Sequence, residues 1–294
     1  MPSVGLTVEA AAPRRSRAWL WLLFPYALTL VAFLALPLAN VLLLSVYRYS
    51  PIKIWIPEFT GANYVQMFTP YFGSVALRTV SIGAIATVLC VLLGYPVAYY
   101  LSRCSKRALT VGMLILTLPL MVSAVVGSFG WIVILGRNGL LNSALKALGA
   151  EARVDILYSP AAVVIALVHF LLPLMVLPLM AAIEKIPIKL EEAATNLGAG
   201  SFTRFRLVIL PLSRPGLISG AVLCFSIAIS VVVTSALLGG RTGRMFGNDI
   251  YEQVITAANW PFASALSIML ILAIVISMSL AIGASRRNAA GEAR

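Results

Sequence analysis

Ten carboxylates, one imidazole and three thiols are the side chains of this 294-residue sequence that most often carry metal and general acid–base chemistry. The carboxylates are Glu9, Glu58, Glu151, Asp155, Glu184, Glu191, Glu192, Asp249, Glu252 and Glu292, and every one lies outside the long apolar runs or at their ends. His169 stands alone inside ALVHFLLPL. Cys90, Cys104 and Cys224 are scattered and odd in number, which offers neither a disulfide framework nor metal spacing; they read as small apolar fillers. An enzyme working inside a membrane needs a nucleophile or a metal cluster facing a cavity, and one histidine without an HExxH run or a buried carboxylate pair does not supply it. No Gly-Lys dipeptide occurs, so no GxxxxGK[ST] loop is present to cradle nucleotide phosphates. The chain therefore offers no catalytic residue, no metal ligand and no cofactor site, and any ATP must be handled by a different chain.

The elements that carry these residues are set by composition. With 61% hydrophobic and 11% charged residues and a mean hydropathy of +0.97, the chain belongs in a membrane. A helix needs about 20 apolar residues to cross a hydrocarbon core about 30 Å thick. Six runs reach that length: Trp19 to Val46, Val75 to Leu101, Leu109 to Leu135, Pro160 to Ile183, Pro215 to Leu238 and Pro261 to Ala284. The expectation is an all-α polytopic protein with a tail at residues 1–18, a six-span domain at 19–284 containing a polar loop at 185–212, and a second tail at 285–294. An even number of spans puts both termini on one side. With the N-terminus inside, 14 of the 22 Lys and Arg fall inside and 8 outside; the loop SRCSKR after the second span is the clearest of them. Translocated loops are poor in basic residues, so both ends are expected in the cytoplasm. The same asymmetry accounts for most of the +12 charge, and no basic run with interleaved aromatics points to nucleic acid. PRRSR before an apolar run suggests a secretory signal, but the run is about twice a normal signal core and lacks a small-residue cleavage site, so it reads as an uncleaved span.

The segments between spans differ in character. RYSPIKIWIPEFTGANYVQMFTPYFGS is rich in Pro and aromatics, as expected at lipid headgroups. GLLNSALKALG places Leu140, Leu141, Ala144, Leu145 and Leu148 on one helical face and predicts a short surface helix. GGRTGRMFGNDIYEQVITAANW is too polar to span and is expected to dip into the protein where a cavity satisfies its backbone. Asp249 and Glu252, near this outer mouth, are placed to attract a cation. Asn259 and Trp260 begin the last span, Trp260 being an interface anchor or a substrate contact. His169 is either a neutral imidazole hydrogen-bonded to a neighbouring helix or a pathway residue. Gly216 and Gly220, at GxxxG spacing, permit close helix contact within the chain or with a partner.

The adjacent pair Glu191 and Glu192 opens EEAATNLGAGSFTRFRLVILPL. Pro187 suits the first turn of a helix and the two carboxylates sit near its positive end. Leu190, Ala193, Ala194 and Leu197 form a shallow apolar stripe, fit for close approach to a groove. Gly198 and Gly200 bracket a stop, which predicts two short helices with a glycine corner on the inner surface. Glu192-Ala193-Ala194, three residues, Gly198, nine residues, then Val208-Ile209-Leu210-Pro211 resembles the EAA signature of permease subunits of binding-protein-dependent ABC importers, with Val208 in place of Ile. FTGANYVQMF, GLLN, LPLSRPGL, LLGG, MFGNDI and NWPFASALS extend the similarity to the spermidine/putrescine type, the first of its two permeases.

That resemblance implies the type I importer fold in a bacterial inner membrane. It also implies a second permease subunit, a pair of cytoplasmic ATPase subunits and an external solute-binding protein that delivers a small polar solute: a polyamine, a related amine, an amino acid or a phosphonate. Glu191, Glu192, Ala193, Ala194, Gly198, Leu210 and Pro211 become the ATPase-coupling set, with Glu192 in contact with the ATPase and Gly198 at the corner; His169, Asp249, Glu252, Asn259 and Trp260 are candidates for the pathway or its mouth. An ion-coupled carrier is the alternative, opposed by the lack of any mid-membrane carboxylate. A membrane protein without transport would leave the EAA-like spacing unexplained.

Overall fold

The computed structural model describes residues 24–26, 28–149 and 154–292. The tail at 1–18 and the start of the first span at Trp19 lie outside the described residues. Among those residues, six helical stretches are long and apolar enough to cross a bilayer. The chain divides into two units, Met1–Leu43 and Leu44–Arg294.

The first unit holds most of helix α1, Phe24–Ser45. Its Val31–Ala35 stretch is π-helical, with the amide of Leu36 reaching back to the carbonyl of Val31. Pro37, one residue further on, has no N–H to give the carbonyl four residues before it, and the widened turn absorbs that defect.

In the second unit a hairpin follows, β1 Tyr47–Ser50 and β2 Ile54–Phe59, paired antiparallel. Tyr47 stacks on Trp55 with ring centroids 5.5 Å apart. The aromatic segment expected at the headgroups is thus folded into a ribbon. Its period-two pattern is too short to stand out in the sequence. The short helix α2, Ala62–Met67, places buried Asn63 so that Nδ2 donates to the carbonyls of Ser45 and Tyr47 at 2.8 and 2.9 Å.

Helices α3 (Pro70–Arg103), α4 (Lys106–Met121), α5 (Ala124–Leu135), α6 (Leu140–Ala147), α7 (Pro160–Glu184), α8 (Ile188–Asn196), α9 (Ser201–Ser230), α10 (Val233–Leu238), α11 (Phe246–Ile255) and α12 (Trp260–Glu292) complete the unit. The core lies where α3, α7 and α9 meet around Cys90, Leu167, Leu171, Met175 and Cys224. Close approach depends on small residues. A Cβ on Gly216 would stand 2.4 Å from the Ala182 methyl and 2.6 Å from the Pro178 carbonyl, and one on Gly220 would stand 2.9 Å from Met175 Sδ. The GxxxG pair is therefore used inside the chain, against α7.

Four expected boundaries change. The third span is not one helix over Leu109–Leu135 but two, broken at Val122 and Ser123, three residues after Pro119. The fifth span ends at Ser230 instead of Leu238, and α10 restarts after Val231 and Val232. The second of the two short helices expected in the polar loop does not exist separately: from Ser201 the helix runs unbroken to Ser230, with a π turn at Phe205–Ile209 ahead of Pro211. The last helix continues past Ala284 to Glu292.

A coil inside a bilayer must have its polar backbone satisfied, and the break after α9 shows how. Asn248, in the buried first turn of α11, donates Nδ2 to the Val232 carbonyl at 2.9 Å. Its Oδ1 accepts from the Met245 amide at 2.9 Å and pairs with Ser235 Oγ at 2.7 Å. The Phe246 amide donates to Thr79 Oγ1 of α3 at 2.8 Å. The dipping segment expected from the sequence is present as the N-terminal turn of α11.

Candidate coupling and translocation sites

Three places gather the candidate residues: the polar loop at one end of the bundle, an ionic cluster at the opposite end, and a cleft between.

At the polar loop Pro187 caps α8, and Gly198 ends it at φ +83°. That left-handed conformation is open to glycine at little cost. It lets the Gly198 amide reach the Thr195 carbonyl at 2.9 Å and the Ala199 amide reach that of Ala194 at 3.0 Å, closing the helix end. The chain then turns directly into α9. Glu192 and Ala193 are exposed, Ala194 is half-buried and Leu197 is 89% exposed. The stripe from Leu190 to Leu197 is thus largely exposed among the described residues, Leu197 most of all.

Glu191 does the opposite. It is only 7% exposed. Its Oε1 accepts from Arg103 Nη2 at 2.7 Å and Nε at 3.1 Å, and its Oε2 accepts from Tyr99 Oη at 2.8 Å. Arg204 Nε stands 3.8 Å from Oε2. Arg103 also donates to the carbonyls of Ile186 and Ile183, at 2.9 and 3.4 Å, just past and within the last turn of α7. The two adjacent carboxylates thus divide: Glu191 fastens α8 to α3 and α7, and Glu192 is presented outward. Beneath them Ile209 is buried with Leu101, Ile183 and Ile186. Tyr95 meets the edge of Phe205 at 4.9 Å between centroids and bonds Ser213 Oγ at 2.5 Å. Leu210 and Pro211 continue α9 on this packed base.

At the opposite end the expected acidic mouth is not free. Arg244 Nη2 bridges Asp249 Oδ1, at 2.9 Å, and Glu252 Oε2. Tyr71 Oη donates to the same Asp249 oxygen at 3.1 Å, while Oδ2 has no partner among the described residues. Glu252 first, then Asp249, raise the pKa of the Arg244 guanidinium above its ordinary value. The cluster carries one net negative charge instead of two, and Asp249 is buried. Asn259 is a helix cap, its Oδ1 accepting from the Phe262 amide at 3.2 Å. Trp260, first residue of α12, is 44% exposed.

His169 lies in the middle of α7 on an exposed face. Its ring meets that of Trp131 edge-on, with centroids 5.6 Å apart and planes at 76°. No hydrogen bond to a neighbouring helix is present among the described residues, so the first sequence reading of this side chain is replaced by an aromatic contact. His169 and Trp131 line a cleft with Pro119, Ser123, Ser128 and Thr234. The break at Val122–Ser123 between α4 and α5 opens on it, and Thr234 comes from the first turn of α10. Sequence reasoning did not find this place. Its signals were Pro119 followed by a serine cap, and the β-branched run Val231-Val232-Val233-Thr234, each ordinary alone.

This is the architecture of a membrane permease, in which a helix fastened to the bundle presents an exposed face at one end. The chain belongs to the binding-protein-dependent transport system inner membrane component family, whose model matches residues 87–288, and is thus a multi-pass inner-membrane permease of an ABC importer. It is 37% identical over 240 residues to the spermidine/putrescine transport system permease protein PotB of Haemophilus influenzae, covering 81% of this chain and 84% of that one. With PotB of Escherichia coli K12 the identity is 34%, over 78% and 83%. With the molybdenum transport system permease ModB of Mycobacterium bovis it is 32%, over 87% and 91%. The fold matches that of a bacterial alginate ABC transporter solved with an alginate-bound periplasmic protein, at TM-score 0.75 and 19% identity over 92% of this chain and 95% of that one.

Proposed function

We propose that this chain is one of two permeases of an ABC importer for polyamines, with both termini in the cytoplasm, a pair of ATPase subunits docked on α8 and an external binding protein delivering substrate at the hairpin end. The observation that carries the reading is the division of labour at Glu191 and Glu192 within a chain of PotB-like sequence. A helix fastened inward by a buried ion pair and bare on its other face suits a lever moved by a partner. ATP binding closes the ATPases and displaces α8. The Arg103–Glu191 contact passes that displacement to α3 and α7, and the corner at Gly198 passes it to α9. The spans tilt together and the pathway opens outward; hydrolysis resets it. Coupling of this kind needs only that the ATPases bind one arrangement of the loop more tightly than the other.

The basic asymmetry of the loops supports the orientation. The absence of carboxylates inside the apolar runs weighs against an ion-coupled carrier. The test is reconstitution of the chain with its second permease, ATPase and binding protein in proteoliposomes. Uptake of labelled putrescine or spermidine that requires both ATP and the binding protein is the expected result. Uptake driven by an ion gradient without ATP, or selective uptake of an oxyanion such as molybdate, would overturn it.

A further inference from the structure

Where α7 and α9 meet the polar loop, a groove of about 550 Å³ runs along their seam. Small residues make it. Gly216 lets the two helices touch at Ala182, and beside that contact Ala181 and Ser219 are exposed and too short to fill the space they border. The other walls are mostly apolar, among them Pro178 and Leu212. The rise from Pro178 to Lys185 is about 10 Å at 1.5 Å per residue, so the groove reaches two turns into the span. Lys185 is the charged residue that lines it; the side chain is exposed and makes no ion pair among the described residues. A cation at a helix C-terminus ordinarily answers the carbonyls there. At α7 Arg103 already does so, through Ile183 and Ile186, and the Lys185 ammonium is left for a partner outside the chain.

Shape and sign select the occupant. Two turns of a helix about 10 Å across would take roughly 800 Å³, more than the groove holds, whereas a single acyl chain can lie in such a slot. The loops on this face carry 14 of the 22 Lys and Arg, and a second permease inserted the same way up carries the same bias, so it would bring further cations toward Lys185. The membrane brings phosphates instead, and every Lys near an anionic lipid surface adds to the attraction. Lys189, exposed in the first turn of α8, contributes to the same field.

We propose that this groove binds an anionic phospholipid, with one acyl chain along Pro178, Ala181 and Ser219 and the phosphate on Lys185. Leu190, in the first turn of α8, lines the same groove, so the lipid packs under the root of the helix assigned to ATPase coupling. This rests on the cytoplasmic placement of the polar loop and not on the identity of the solute. For the test, the assembled transporter is reconstituted in phosphatidylcholine vesicles that contain a trace of phosphatidylglycerol or of phosphatidylcholine bearing a photoactivatable group on its acyl chain, and the adducts are mapped by peptide mass spectrometry. Adducts of the phosphatidylglycerol probe around Ala181 and Ser219 are the expected result. Lys185→Gln lowers them about fivefold, the factor one Lys contributes at an anionic surface. Ala181→Phe, which fills the slot and keeps the charge, lowers them at least as far, and excess inorganic phosphate leaves them unchanged. Equal labelling by the two probes, or labelling indifferent to both substitutions, overturns the proposal. Labelling of the isolated permease that disappears in the assembled transporter overturns it in favour of a subunit interface, and competition by inorganic phosphate overturns it in favour of a free-anion site. Uptake plays no part in this readout, so failure of the amine reading is seen separately.

Discussion

Arg103, the last residue of α3, and Glu191, in the first turns of α8, are joined by two hydrogen bonds to one carboxylate oxygen at 2.7 and 3.1 Å. They are 88 residues apart in sequence. Because the same guanidinium also holds the carbonyls of Ile183 and Ile186, three elements converge on one charge. The bare helix end of α7 gains the cation that its dipole favours.

Arg103→Gln leaves the buried Glu191 with only Tyr99 and the more distant Arg204, and Glu191→Gln leaves the partly buried Arg103 without its carboxylate, each at a cost of up to about 3 kcal/mol. Glu191→Gln and Arg103→Gln should each lower the thermal stability of the detergent-solubilised permease and reduce uptake. Glu192→Gln, on an exposed side chain, should leave stability unchanged. Equal melting temperatures for all three would refute the division between the two carboxylates.

If the ATPase docks on the exposed face of α8 as proposed, Glu192→Lys should abolish uptake while the protein inserts and folds normally. Co-purification with the ATPase at wild-type yield, together with normal substrate-stimulated hydrolysis, would contradict this.

At Gly198 nothing lies within 4 Å of an added Cβ, so a side chain there meets strain and no collision. The cost of a left-handed L-residue is about 1–2 kcal/mol, and Asn tolerates that conformation better than a β-branched residue. Uptake should therefore fall in the order Gly, Asn, Ala, Val. A Val variant as active as the Asn variant would show that the corner's backbone conformation is immaterial.

Arg244→Gln should destabilise the permease, since Asp249 is buried and loses its counter-charge; the additional change Asp249→Asn should restore much of the loss. Measuring both by thermal unfolding separates this repair from an independent effect of each residue, which would simply add.

His169→Phe should preserve most transport. The contact His169 makes is with an aromatic ring, and Phe can keep it. Loss of uptake with assembly intact would mean that the imidazole nitrogens act directly.

Membrane residence, six apolar runs and the place of the polar loop along the chain were legible in the sequence, because apolar length is a local property that one window of residues reveals. Gly198 was legible for a similar reason: a glycine after an apolar stripe marks a helix stop. The breaks at Val122 and Val231 were not, since apolar length cannot distinguish a continuous helix from a broken one. The second is held open by Asn248, 16 residues beyond the carbonyl it satisfies. Asp249 and Glu252 looked like free acids because their proximity to Arg244 in sequence does not say which way the side chains turn.

By itself the sequence determined the solvent of this protein, the place of its polar loop along the chain and the family motif within that loop, all consequences of composition and spacing along the chain. Only the tertiary structure decided which of two neighbouring carboxylates is anchored inside and which is left exposed. Adjacent residues on a helix point about 100° apart, and burial against Arg103 and Tyr99, from a helix remote in sequence, selects Glu191 for the interior and leaves Glu192 outside.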